Sequence, residues 1–160
     1  MTLAEDISLL LRVPLFSDLS SDHLRLIAFS AIRLELPAGR VLFRKDAPAM
    51  SGFVVMAGEV EFSDTDRAEP LVLGHCGPGA LIGETALFVE TRRPATALAV
   101  SDCELVEIDR TLMRRLLNEY PDVAARLHVK LIDKLAGTVS EVGRIKTRLD
   151  AISYPPARPA

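Results

Sequence analysis

The chain has 160 residues, 49% apolar and 26% charged, with a net charge of −3 and a sequence pI of about 5.6. That length fits one domain with an appendage, and the weakly acidic balance argues against a general nucleic-acid surface. Cys76 and Cys103 are too few for a disulfide framework and read as small buried hydrophobes of a reducing compartment; with no signal-peptide pattern and no run of about 18 apolar residues to cross a membrane, a cytoplasmic location is expected.

In chain order, residues 9–16 read as a short helix ended by proline. Ser20 and Ser21 are N-cap candidates for a second helix, with Leu24, Ile27 and Ala28 on its inner face. At residue 31 the period changes from helical to alternating. Ile32, Leu34 and Leu36 alternate with Arg33 and Glu35, the pattern of a half-buried strand. Pro37-Ala38-Gly39 is a turn, Val41-Leu42-Phe43 a strand and Asp46-Ala47-Pro48 a turn. Gly52-Phe53-Val54-Val55-Met56 and Val60-Glu61-Phe62 read as a hairpin about Ala57-Gly58-Glu59, followed by a polar loop at 64–70. Leu71-Val72-Leu73, residues 95–100 and Glu104-Leu105-Val106-Glu107-Ile108 supply further strands. Short strands punctuated by turns imply an antiparallel barrel or jelly roll.

After Asp109 the helical period returns. Asp109 or Thr111 starts a short helix through Asn118, and Pro121 opens a longer one running to about Asp150. Ala124, His128, Leu131, Leu135, Thr138, Val142, Ile145 and Leu149 fall at alternating spacings of four and three, a heptad seam suited to dimerisation. The proline-containing tail at 151–160 is expected to be disordered. The fold class expected is α+β. It comprises a β-roll with flanking helices at 1–120, a long C-terminal helix at 121–150 and a tail at 151–160.

The stretch Gly79-Ala80-Leu81-Ile82-Gly83-Glu84-Thr85-Ala86-Leu87-Phe88, with Arg92-Arg93-Pro94-Ala95-Thr96 close behind, carries the chemistry. Glycine allows close backbone approach, N–H groups at a short helix start attract an anion, and an arginine fork pairs with phosphate oxygens. A carboxylate beside a phosphate calls for a neutral hydroxyl between them, so Glu84 points to a ribose. Adjacent strand residues face opposite sides, so only one of Arg92 and Arg93 turns inward.

Pro14-Leu15-Phe16, Ala38-Gly39, Gly58-Glu59-Val60, Gly77-Pro78-Gly79, Ile82-Gly83-Glu84-Thr85-Ala86-Leu87 and Arg93-Pro94-Ala95-Thr96 together resemble the cyclic nucleotide-binding domain family. The likeness is to sensor domains of catabolite activator-type bacterial regulators, over residues 7–150. The resemblance implies that Arg93 pairs with the cyclic phosphate, that Glu84 accepts from the ribose 2′-hydroxyl, and that amides around Gly83, Glu84, Thr85 and Ala86 cap the phosphate. Thr138 falls at the position that contacts adenine in the activator. The motif commonly opens with phenylalanine, where this chain has Ile82. Pro94 stands where many members offer an N–H or hydroxyl. Proline has no N–H, and a missing charge-assisted bond is worth roughly 1.5–3 kcal/mol. The absence of threonine at 94, with Thr138 present, leans towards cAMP over cGMP. Only ten residues follow Asp150, too few for a helix-turn-helix, so no DNA reading is expected.

The reading that follows is a stand-alone, non-enzymatic cyclic-nucleotide sensor without a cofactor. It would couple its ligand to movement of the long helix, to a homodimer through residues 124–149, or to an unidentified protein effector. The alternative is a scaffold or interaction module of the same fold, or a receptor for another nucleotide such as cyclic di-GMP. His23, His75 and His128 are too dispersed for a cupin-type metal site.

Overall fold

A computed structural model describes residues 2–140, with side chains described to residue 130. The sequence expectations for 141–150 and 151–160 lie outside the described residues. Helix α1 spans Leu3–Leu11, a 3₁₀ turn Pro14–Phe16, and α2 Ser21–Ser30. Ten strands follow: β1 Ile32–Leu36, β2 Val41–Phe43, β3 Pro48–Ala49, β4 Ser51–Ala57, β5 Val60–Asp64, β6 Leu71–Cys76, β7 Leu81–Ile82, β8 Thr91–Arg92, β9 Thr96–Ala99 and β10 Cys103–Asp109. A second 3₁₀ turn, Glu84–Leu87, lies between β7 and β8, and α3 Arg110–Glu119 and α4 Pro121–Ser140 close the order.

The first helix differs from the sequence expectation. It starts at Leu3 because Thr2 and Glu5 form a reciprocal capping box. Pro14 does not end that helix but opens the separate 3₁₀ turn, where its missing N–H costs nothing. Ser20 caps α2 as expected, with His23 at the third position returning a bond to the cap. Asp109 caps α3, its carboxylate accepting from the Leu112 N–H at 2.7 Å.

The strands form two four-stranded antiparallel sheets, β1-β10-β4-β7 and β2-β9-β5-β6, plus the two-stranded ribbon β3-β8. The expected hairpin of β4 and β5 does not exist, because the two strands lie in different sheets. Gly58, at φ 91°, turns the chain from one layer to the other, and a Cβ there would lie 2.4 Å from the Asp102 carbonyl. The contact leaves room only for glycine.

Strand alternation splits the core in two. Phe53 and Val55 of β4 with Leu105 of β10 point into the roll, beside Val60, Phe62 and Ala97. Val54 and Met56 with Val106 and Ile108 face the other way, onto Leu10, Phe16, Leu24, Ile27, Met113 and Leu116 of the helices and the first 3₁₀ turn. The near-continuous apolar run of β4 follows from burial on both faces. Arg33 of β1 pairs with Asp6 of α1 and Glu104 of β10, tying the first helix to that sheet.

The start of α4 docks on the helical layer through Val123 and Leu127, both buried, so the expected seam residues Ala124 and His128 sit one position aside, half-buried and exposed respectively. Polar contacts reinforce the docking. Lys130 Nζ donates to the Pro14 carbonyl at 2.7 Å and the Ser17 hydroxyl at 2.9 Å, and Arg126 Nη1 donates to the Asp18 carbonyl at 2.8 Å. Lys130→Met removes two of these bonds, worth about 1 kcal/mol together in a partly exposed setting. Amide exchange over residues 124–130 is expected to accelerate roughly fivefold, with the β10 amides unchanged, as measured by hydrogen exchange.

Candidate functional site

The site is built where β7 ends and β8 returns. Ile82, the last residue of β7, is fully buried in the roll core and pairs with Phe53. Gly83 follows in the left-handed region, at φ 79° and ψ 39°, and serves as N-cap of the turn Glu84–Leu87. Glycine suits that position. A side chain is strained at that φ, and a Cβ would lie 2.6 Å from Arg93 Nη1. Gly52 of β4 permits the close crossing beneath, since a Cβ on it would meet the Ile82 carbonyl at 3.1 Å.

Within the turn, Glu84 is 5% exposed and Ala86 1%, while Thr85 is half-buried. The Ala86 N–H donates to the Gly83 carbonyl at 3.1 Å, so that amide is engaged inside the 3₁₀ turn itself. The Thr85 carbonyl accepts the N–H groups of Phe88 and Val89, both at 3.1 Å.

Arg93, directly after β8, is the inward member of the arginine pair. It is 5% exposed, whereas Arg92 is exposed and donates to the Asp46 carbonyl at 2.8 Å. The backbone of Arg93 is pinned to the same loop. Its N–H donates to the Ala47 carbonyl at 2.9 Å, and its carbonyl accepts from the Asp46 N–H at 2.8 Å. The guanidinium lies over two rings, 4.3 Å from the Phe43 centroid and 5.4 Å from that of Phe53. Its Nε and Nη1 are buried with no hydrogen-bond partner among the described residues. Burial pushes its pKa down to about 10, with the Glu107 charge opposing. Glu107 of β10 accepts from the Ser51 hydroxyl at 2.6 Å.

Pro94 is half-buried beside Arg93. The Thr96 hydroxyl faces inward and accepts the Lys45 N–H at 3.0 Å, with the Thr65 hydroxyl also at 3.0 Å. Residues 82–86 and 93 are thus brought together. Thr138 lies on α4, in the stretch whose side chains fall outside the described residues. Cys76 and Cys103 are buried, as expected, and burial pushes the Cys76 thiol up to about 12. Sequence reasoning missed Phe43, Phe53, Glu107 and Arg110. Inward parity along β4 was the available signal for Phe53; the other three come from strands and a helix start far from the motif in sequence.

Residues 33–120, more than half of the chain, match the family model described as cyclic nucleotide-binding domain. The chain belongs to the cyclic nucleotide-binding domain family. A protein of Rhodopseudomonas palustris described as a potassium channel is 30% identical over 123 residues, covering 76% of this chain and 29% of the relative. The solved structure of a cyclic nucleotide-binding-like protein from Brucella abortus is 36% identical, with a TM-score of 0.67, covering 71% of this chain and 98% of that one. The regulatory domain of Toxoplasma gondii PKA, solved with cAMP, is 26% identical with a TM-score of 0.67, over 71% of this chain and 44% of that one. The chain spans less than a third of the first curated relatives it matches. Among the described residues no group of three or more His, Cys, Asp or Glu is placed to hold a metal ion, and no helix is long and apolar enough to cross a membrane.

Replacing Gly83 by alanine forces a side chain into the left-handed region, a penalty of about 1–2 kcal/mol, and displaces the end of the Arg93 side chain. Urea unfolding of Gly83→Ala is expected to show a loss of about 1–2 kcal/mol, with an unchanged m-value.

Proposed function

We propose that the roll is a regulatory receptor for a cyclic nucleotide, with cAMP preferred to cGMP. The observation that carries the reading is Arg93, a cation held inside the roll with Nε and Nη1 lacking an acceptor among the described residues. A buried guanidinium with unused donors is unfavourable in the protein alone and favourable once a phosphate supplies a charge-assisted, forked partner. Gly83 brings backbone against that guanidinium, and the buried Glu84 follows it directly, supplying an acceptor for a ribose hydroxyl. Membership of the family supports the same assignment, as does the cAMP bound to the Toxoplasma relative.

In this reading Ile82 supports the motif from the core, amides of residues 83–85 face the phosphate, and Ala86 packs behind them. Pro94 withholds one donor, which lowers affinity by roughly one to two decades relative to members with an N–H there. Thr138 contacts the base from α4. Output passes through α4, by a homodimer along residues 124–149 or by a protein effector, and the protein performs no chemistry of its own. A ligand drives that output only by its differential affinity for two α4 positions. The division into a roll at 1–120 and a transmitting helix at 121–150 belongs to the same proposal.

Calorimetry with cAMP and cGMP tests it, and Arg93→Leu supplies the decisive variant. Binding is expected to disappear in Arg93→Leu, while the ligand-free protein becomes more stable by roughly 1 kcal/mol because an unpaired buried charge is gone. For a chain this long that raises the melting midpoint by about 2–4 °C. In the wild type the same penalty is present at neutral pH and is relieved as pH rises through about 10 towards the unfolded value. A melting midpoint that falls, with no heat from cAMP or cGMP in the wild type, would assign Arg93 a structural role and favour the scaffold reading.

A further inference from the structure

We infer that Arg110 is the positioning residue that ties both halves of the ligand site to α3, and through it to α4; this rests on the cyclic-nucleotide reading above. Arg110 is the first residue of α3. Its Nε donates to the Ala86 carbonyl at 3.0 Å, inside the turn that carries Glu84. Its Nη2 donates to the Val89 carbonyl just after that turn and to the Ala49 carbonyl of β3, both at 2.9 Å. Its own N–H donates to the Met50 carbonyl at 3.1 Å.

These bonds join two routes into the site. The first runs from Ala86 and Val89 back through the turn to Gly83 and Glu84. The second runs through Ala49, because β3 pairs with β8 in the register Pro48↔Arg92 and Ala49↔Thr91, and β8 leads directly into Arg93. The segments that carry Glu84 and Arg93 are therefore both fastened to one guanidinium at the start of α3. A 3₁₀ turn leaves its last carbonyls without partners of its own, and Arg110 accounts for the Ala86 oxygen. Apolar contacts run parallel to this clamp. Leu87 of the turn belongs to the same buried cluster as Leu112, Met113 and Leu116 of α3.

α3 hands the displacement on through Tyr120. The Tyr120 carbonyl accepts the Val123 and Ala124 N–H groups, at 3.0 and 3.1 Å, so the end of α3 and the first turn of α4 share a hydrogen-bonded joint. The Tyr120 ring meets the His23 ring edge-on, with centroids 4.4 Å apart. A ligand that draws residues 83–85 and 93 together therefore moves the start of α3 against the roll. Arginine suits this position because one rigid fork reaches three carbonyls, whereas the compact ammonium of lysine does not.

Hydrogen exchange with and without cAMP tests the clamp, on the wild type, Arg110→Met and Arg110→Lys, with melting curves confirming that each variant folds. In the wild type, cAMP is expected to slow exchange both at residues 83–89 and at 110–119. In Arg110→Met, protection at 83–89 persists, protection at 110–119 is lost, and cAMP affinity falls roughly tenfold; Arg110→Lys lies between the two. Equal protection of 110–119 in Arg110→Met and the wild type overturns the inference. If the wild type itself does not bind cAMP, the ligand reading fails, and the clamp is read in the ligand-free protein. There Arg110→Met, or Arg110→Lys if the first does not fold, must accelerate exchange at 47–50 and 86–90 together. Unchanged rates in both segments overturn it.

Discussion

The guanidinium of Arg93 sits inside the roll against two phenylalanine rings, with Gly83 so close that a single methyl group would collide with it. Cation–π contact returns about 0.5–2 kcal/mol, which is less than the cost of taking a cation with unused donors out of water. The rest of the site follows from that imbalance. The left-handed backbone at Gly83, the close crossing of β4 and β7 at Gly52, and the fastening of Arg93 to the loop at 46–47 all hold the charge where it does not relax into solvent. The stability of the roll must therefore come from elsewhere, and it comes from the two apolar clusters on either face of the β1-β10-β4-β7 sheet.

That sheet is the mechanical divider of the molecule. Alternate residues of β4 and β10 face the roll interior and the helical side, so one sheet packs on both apolar clusters. The helical side collects α1, α2, α3 and the first turns of α4, with the Pro14–Phe16 turn as the seat for Lys130. α4 is thus held at its start by Val123, Leu127, Arg126 and Lys130, and the seam residues Ala124 and His128 remain off the buried line.

Much of this was legible from residue order. The switch from helical to alternating period near residue 31 and back near 109 marks the roll, and the Ser20 and Asp109 caps mark the helix starts. Strand parity left room for only one of Arg92 and Arg93 inside, and the Ala95-Thr96 that follows singled out Arg93. Two features were not legible, for physical reasons. Apolar pattern alone does not say which strands pair, and Gly58 looked like a hairpin turn when it carries the chain between layers. The partners of Arg93 and the triple contact of Arg110 depend on strands and turns separated by 20 to 60 residues, whose meeting is a property of topology rather than of any local signal. The early start of α1 is encoded in the Thr2–Glu5 capping box, whereas Pro14 marks the opening of the next turn rather than the end of the helix.

The four hydrogen bonds that Arg110 donates among the described residues, one through its N–H and three through its side chain, end on main-chain oxygens: those of Met50, Ala49, Ala86 and Val89. Such a contact reads where the chain runs and is indifferent to which side chains it carries. Side chains in the turn and on the β3-β8 ribbon are therefore at liberty to diverge while the connection to α3 survives. Under the proposed reading, recognition and transmission are separately evolvable, one written in side chains and the other in backbone.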